Sequence, residues 1–276
     1  MRIKLPCTLL YIAFIGFLSV DAQTNYMNSN ARSNALGGAF TTLVGYAAVN
    51  GNQAGIAKEI NPSVIVYNEK SFWISELNTV AVGFILPTKS GVFALSTSYK
   101  GFSTYANQNL GLVYGRSLSK NLSVGLKMNY QSIGIKEYGA VNSFQFQMGM
   151  QSKLSDELSI GIHIYNPVGF FVNQNEVLNQ PVIFNIGLAY KPSKGLSLVS
   201  EIEKNIDFKT NVKGGIEYLI NKKLFIRGGI ATAPISSSIG FGLILNRFKF
   251  DFATQIHTVL GITTSVQLNY LINNKY

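Results

Sequence analysis

The stretch "NLSVGLKMNYQ", residues 121–131, decides the fold class. Leu122, Val124, Leu126, Met128 and Tyr130 share one side of a two-residue period, and Ser123, Gly125, Lys127, Asn129 and Gln131 share the other. Successive side chains of a β-strand point to opposite faces, so this is a strand between an apolar and a polar environment. A soluble sandwich and a membrane barrel both use such strands, and the stretch by itself fits either. The pattern then recurs along the chain. "FQFQMGMQ" sets Phe144, Phe146, Met148 and Met150 against Gln145, Gln147, Gly149 and Gln151. "VIFNIGLAY", "NVKGGIEYLI" and "FKFDFATQI" repeat the division, each polar face carrying Gly, Gln, Ser or a charge. A sandwich buries its apolar faces in a limited core, whereas a barrel in lipid has to keep the pattern all the way round.

The connections fit a barrel as well. Tight turns are expected at 86–91, 117–125, 153–161, 191–199, 219–227 and 244–250. Longer connections are expected between them, at "KGFSTYANQ", "GIKEYGAV", Asn166 to Gln180, "KNIDFKT", "TAPISS" and "HTVLGI". Strict alternation of short and long is the rhythm of outer-membrane barrels, with short turns on the periplasmic rim and longer loops outside. Segments from Val64 to Ile272 give about fourteen strands, with both ends on the short-turn side. The last segment, "SVQLNYLINNKY", ends on the aromatic Tyr276, which suits an interfacial belt.

Composition and the N-terminus set the compartment. Residues 1–22 carry Arg2 and Lys4, an apolar run from Leu9 to Leu18 and a small-residue exit at Val20–Ala22, the pattern of a cleaved signal peptide. The run is shorter than the ~20 residues of a spanning helix. Cys7 lies in that segment, so the exported chain is expected to have neither a disulfide nor a thiolate metal site. Charged residues make up 13% of the chain and aromatics 12%, against about 25% charged in an ordinary soluble domain. The formal net charge is +10, but the lysines are dispersed over turns and polar faces, and an exported chain is not expected to meet nucleic acid. The expected location is the bacterial outer membrane.

Residues 23–61 differ in kind. They are rich in Gly and Ala without a two-residue period, and their apolar content (Ala35, Leu36, Phe40, Leu43, Val44, Ile56) disfavours a solvated leader. They are expected to form a hatch or plug in the lumen of a barrel made by residues 62–276. "ARSNALGGAF" (31–40) followed by "NQAGIA" (52–57) resembles the N-terminal hatch of the FadL-type outer-membrane barrels, most closely their PorV/PorQ branch, where A-R-x-x-x-x-G-G-A precedes N-P-A-G-[LI]-A. Gln53 stands where that pattern has proline. "ELNTVAVGF", "NYQSIGIKEYG", "IYNPVG", "EKNIDF" and "IGFGLIL" extend the likeness over nearly all of the mature chain. The resemblance implies a fourteen-strand antiparallel barrel with a lumenal hatch, in a family of fatty-acid transporters and accessory barrels of type 9 secretion. It marks Arg32, Gly37, Gly38, Asn52, Gln53 and Gly55 as hatch residues.

Eight charged residues fall on polar strand faces and are expected in the lumen: Lys127, Glu201, Glu203, Lys213, Glu217, Arg227, Lys249 and Asp251. Their near balance of sign fits a network bracing a filled interior, and equally a barrel interior that merely has to be polar. No catalytic residues are assigned. His163 has no carboxylate among its sequence neighbours, and Asp251 lies about 20 Å along the strand from His257 at ~3.4 Å per residue. No cluster with metal-ligand spacing occurs, and neither metal nor cofactor is expected. Two functions fit. One is a non-enzymatic accessory subunit of an outer-membrane secretion or assembly machine, partnering larger barrels. The other is a diffusion transporter of hydrophobic small molecules. Short loops and the altered hatch turn favour the first, with lipid as the common surroundings. Phe170, Phe171 and Val172, an apolar run in the longest connection, are the candidate partner contact.

Overall fold

The computed structural model describes residues 30–167 and 181–272. The expected signal peptide, the candidate contact Phe170–Val172 and the terminal Tyr276 lie outside them. Fourteen antiparallel strands close on themselves in sequence order. They are β1 (Ser63–Lys70), β2 (Asn78–Thr88), β3 (Gly91–Phe102), β4 (Tyr105–Ser117), β5 (Leu122–Ile135), β6 (Gly139–Lys153) and β7 (Leu158–Tyr165). The second half comprises β8 (Ile183–Tyr190), β9 (Leu196–Asn205), β10 (Asn211–Ile220), β11 (Leu224–Thr232), β12 (Ile235–Leu245), β13 (Phe248–His257) and β14 (Gly261–Leu271). β1 pairs with β14 from Ser63↔Leu271 to Lys70↔Thr264, which closes the wall and leaves no free edge between first and last strands.

The two faces follow the alternation. In β5, Leu126, Met128 and Tyr130 are exposed outward while Lys127, Asn129 and Gln131 are buried inside. Leu112, Ile186, Ile202, Ile216 and Ile239 continue the exposed apolar face around the wall. Buried polar residues with exposed aliphatic ones reverse the usual arrangement of a water-soluble protein. Aromatic pairs mark both rims of this surface. Phe93–Tyr114 and Phe248–Tyr270, each with ring centroids 4.9 Å apart, lie near the rim where β1 begins, and Tyr130–Phe144 (5.4 Å) lies towards the other. Such girdles flank the apolar band of an outer-membrane barrel.

The expected alternation of short and long connections does not hold. β3 and β4 are joined by Ser103 and Thr104 alone, with Phe102↔Tyr105 already paired, and β11 and β12 by Ala233 and Pro234. β5 and β6 pair up to Ile135↔Gly139. Much of "KGFSTYANQ" and "GIKEYGAV" is therefore ladder. Asn107 and Ser236, polar residues that suggested loops, are lumen-side strand residues, and Gly101 and Gly139 supply the positive φ (152° and 89°) at the strand ends. A long connection on that rim remains at 71–77, and most of the one expected from Asn166 to Gln180 lies outside the described residues.

Leu112 lies on the outer face between the two aromatic levels, and Leu118 in the turn beyond β4. Leu112→Arg should lower the unfolding free energy by ~2–4 kcal/mol and Leu118→Arg by ~0–1 kcal/mol, read by urea titration in phospholipid vesicles. Equal effects would mean that this face does not sit in lipid.

Candidate functional site: the hatch and its seat

Residues 30–61 run inside the barrel as one helical turn, α1 (Ala31–Asn34), and two 3-10 turns, Gly45–Ala48 and Gln53–Ile56. Asn30 caps α1, its side chain accepting from Arg32 N and Ser33 N, and Asn52 caps the second 3-10 turn, accepting from Ala54 N. Gly37 and Gly38 turn the chain back at φ 71° and 82°, values that side-chain-bearing residues rarely adopt. Leu36, Phe40, Leu43 and Ile56 are buried by this path, Phe40 edge-on to His163 with centroids 5.3 Å apart.

The wall meets this backbone with a belt of glycines. Gly115, Gly125 and Gly149 stand opposite one another on β4, β5 and β6, as do Gly161 and Gly187 on β7 and β8, and Gly215 and Gly229 on β10 and β11. Each looks into the lumen at hatch atoms. An added Cβ would meet Ile56 at Gly115, Gln53 at Gly125, Asn52 at Gly149 and Thr41 at Gly161. It would meet Leu36 at Gly215, the Gly37 nitrogen at Gly229 and Ala35 at Gly240 of β12. Backbone therefore lies directly on backbone, which side chains would forbid.

Two chemistries tie the hatch down. Over β9–β13 they are ionic. Glu201 accepts from Phe40 N and Thr41 N, each 2.8 Å away, and from the Thr41 hydroxyl. Lys213 donates to Glu203 (2.7 Å), Glu201 (3.2 Å) and the Gly38 carbonyl (3.3 Å). Arg32 grips Glu217 through Nε (2.9 Å) and Nη2 (2.7 Å). Arg227 donates to both Glu217 and Asp251 at 2.6 Å, and the Tyr46 hydroxyl donates to Asp251 at 2.6 Å. Burial first, and Asp251 second, hold that hydroxyl well above its ordinary pKa, so it stays a donor. Over β5–β7 the ties are mostly amides. Asn52 Nδ2 faces the carbonyls of Thr41, Met150 and Ile162 at 2.8–3.1 Å. Gln151 donates to the Thr41 and Leu43 carbonyls, and Lys127 to Val49 O and Asn50 Oδ1.

Each hatch and lumen residue marked by the sequence has a definite place. Arg32, Gly37, Gly38, Asn52, Gln53 and Gly55 are all in the lumenal segment, and Gly55 is pressed against the Leu43 carbonyl. Gln53 donates to Gln147 (2.7 Å) and Gly51 O (2.6 Å), a tie to β6 that the proline of the related pattern could not make. Lys127, Glu201, Glu203, Lys213, Glu217, Arg227 and Asp251 face the hatch, and Lys249 sits at the rim with its ammonium 5.4 Å from the Tyr46 ring centroid. His163 is enclosed between Gln147 and Phe40, and His257 accepts from Val259 N and Leu260 N in the β13–β14 turn. Sequence reasoning counted the belt glycines as ordinary members of the polar faces. Their signal was a glycine between large outward residues, as in Val124-Gly125-Leu126, Met148-Gly149-Met150 and Ile160-Gly161-Ile162.

No protein-family model matches the chain, and no curated protein matches it in sequence. Solved structures do match in shape. The P. putida toluene transporter TodX superposes with a TM-score of 0.67 at 10% identity, covering 91% of this chain and 100% of its own. The Ralstonia pickettii toluene transporter TbuX gives 0.65 at 11%, covering 90% and 100%. A Pseudomonas aeruginosa FadL homologue gives 0.62 at 11%, covering 89% and 98%. The chain has the fold of these channels. At such identities the likeness is one of architecture, and these relatives in shape are transport proteins rather than enzymes.

The seat makes a prediction that separates the faces of the wall. Gly229→Val and Gly125→Val should each displace the hatch and raise single-channel conductance in a planar bilayer. Gly228→Val, on the outer face where an added Cβ has nothing nearer than 3.8 Å, should leave conductance at the wild-type level.

Proposed function

We propose that the protein is a passive channel for small hydrophobic molecules in the outer membrane, closed at rest by its hatch. The observation that carries this reading is the shared architecture with the toluene transporters over nine-tenths of the chain.

A second reading is an accessory barrel of a secretion or assembly machine, in the PorV/PorQ branch that the hatch motif resembles. It is supported by the ionic set around Glu217, in which Glu217 and Asp251 together answer the charges of Arg32 and Arg227. The comparisons favour the channel, since the matching architectures that carry a function carry transport.

Uptake of radiolabelled toluene into cells whose own outer membrane limits entry tests the choice. Expression of the protein should raise the initial rate several-fold, and Gly229→Val should raise it further. A rate equal to that of the empty vector, together with large barrels co-purifying in mild detergent, would replace the channel with the accessory role.

A further inference from the structure

On the rim where the chain enters and leaves the barrel, a cavity of about 180 Å³ lies between the hatch and β11–β13. Its apolar floor is Val44, Phe225, Leu243 and Ile244, and its inner wall is the Arg32–Arg227–Asp251 set with Tyr46. That wall is electrostatically closed, because Glu217 and Asp251 together answer both guanidinium groups. Two charges are left over. Glu59 and Lys249 both line the cavity, and among the described residues neither side-chain charge takes part in a salt bridge or hydrogen bond.

Both are held where they are. The Glu59 carboxylate rests on Gly45, where an added Cβ would come 2.7 Å from Oε1, and Gly45 has the φ of 81° that a side chain resists. The Lys249 ammonium lies over the face of Tyr46. Burial raises the Glu59 pKa and the charge of Lys249 acts in the opposite direction, so the two feel each other across the cavity without closing an ion pair. Half-buried charges that make no direct ion pair or hydrogen bond leave part of their desolvation cost unmet, and two of opposite sign across an apolar floor define what would satisfy them.

We infer that this cavity binds a small zwitterion with an apolar body, the chemistry of a free aliphatic α-amino acid. The ligand carboxylate meets Lys249, its ammonium meets Glu59, and its side chain lies on Phe225, Leu243 and Ile244. The site is separate from the glycine belt and from any route through the wall, and its occupancy is read without measuring flux. Failure here is thereby distinct from failure of the channel.

Calorimetric titration of the full-length protein in nanodiscs tests it, with L-leucine, isocaproate, which lacks the ammonium, and isoamylamine, which lacks the carboxylate. Leucine should bind saturably, and each analogue about tenfold or more weakly, because each leaves one protein charge unmatched. Glu59→Gln should remove the advantage of leucine over isocaproate, and Lys249→Met its advantage over isoamylamine, in barrels that keep the wild-type heat-modifiable mobility. Equal affinities for all three compounds, or no saturable heat with leucine up to about 10 mM, a limit near −2.7 kcal/mol, would overturn the assignment.

Discussion

Everything inside this barrel depends on backbone meeting backbone. A closed fourteen-strand wall encloses more space than its own inward side chains fill, and the hatch has to occupy the remainder. It does so by lying on strands stripped of Cβ atoms at the line of contact, from Gly115 on β4 round to Gly240 on β12. Glycine in a strand interior ordinarily weakens it, by loss of packing and by the entropy of the unfolded chain. Here the cost falls on a ladder that closes on itself and has no fraying edge, with the outward neighbours of each glycine still contributing to the lipid face. The belt thus separates two jobs along one strand. Alternate positions hold the hatch and the membrane surface.

The seat is chemically divided. Residues 32–41 are held by carboxylates and cations of β9–β13, and residues 41–54 mainly by amides of β5–β7, with Thr41 shared between them. Ion pairs removed from water need every partner in place, and Glu217 and Glu201 each serve several donors at once. Amide ties are weaker singly and carry no such penalty when broken. A hatch held in two ways need not move as one body.

A polar, fully laced lumen and an apolar cargo are compatible if the cargo does not bind the lumen as it stands. The charges around Glu217 and Glu201 are turned towards one another and towards hatch backbone, so they present little field to a passing solute. The likeness in architecture to hydrocarbon channels places this chain in a fold that other proteins use for transport, and architecture alone does not choose the cargo. On the channel reading proposed above, cargo choice would rest on the residues lining the path opened by the hatch. Those are this chain's own, including the Gln53–Gln147 tie where the related motif has proline.

The alternation in 121–131 and its repeats was enough to determine the class, the number of strands and which side chains face out, because a two-residue period leaves each strand just two ways to lie and lipid admits one of them. The lumenal position of Lys127, Glu201, Lys213, Glu217, Arg227 and Asp251 followed from the same parity. Local pattern misjudged the connections, since serine and threonine beyond the membrane band look like loop whether or not the ladder continues through them. What only the tertiary structure decided is which partners those parities bring together. That Glu217 joins Arg32 to Arg227, that Glu201 receives the amides of Phe40 and Thr41, and that Glu59 and Lys249 face one cavity depend on strand register and on the path of the hatch. Such contacts join residues up to 236 positions apart, as between Ala31 and Gln267, and no local periodicity carries information over that distance.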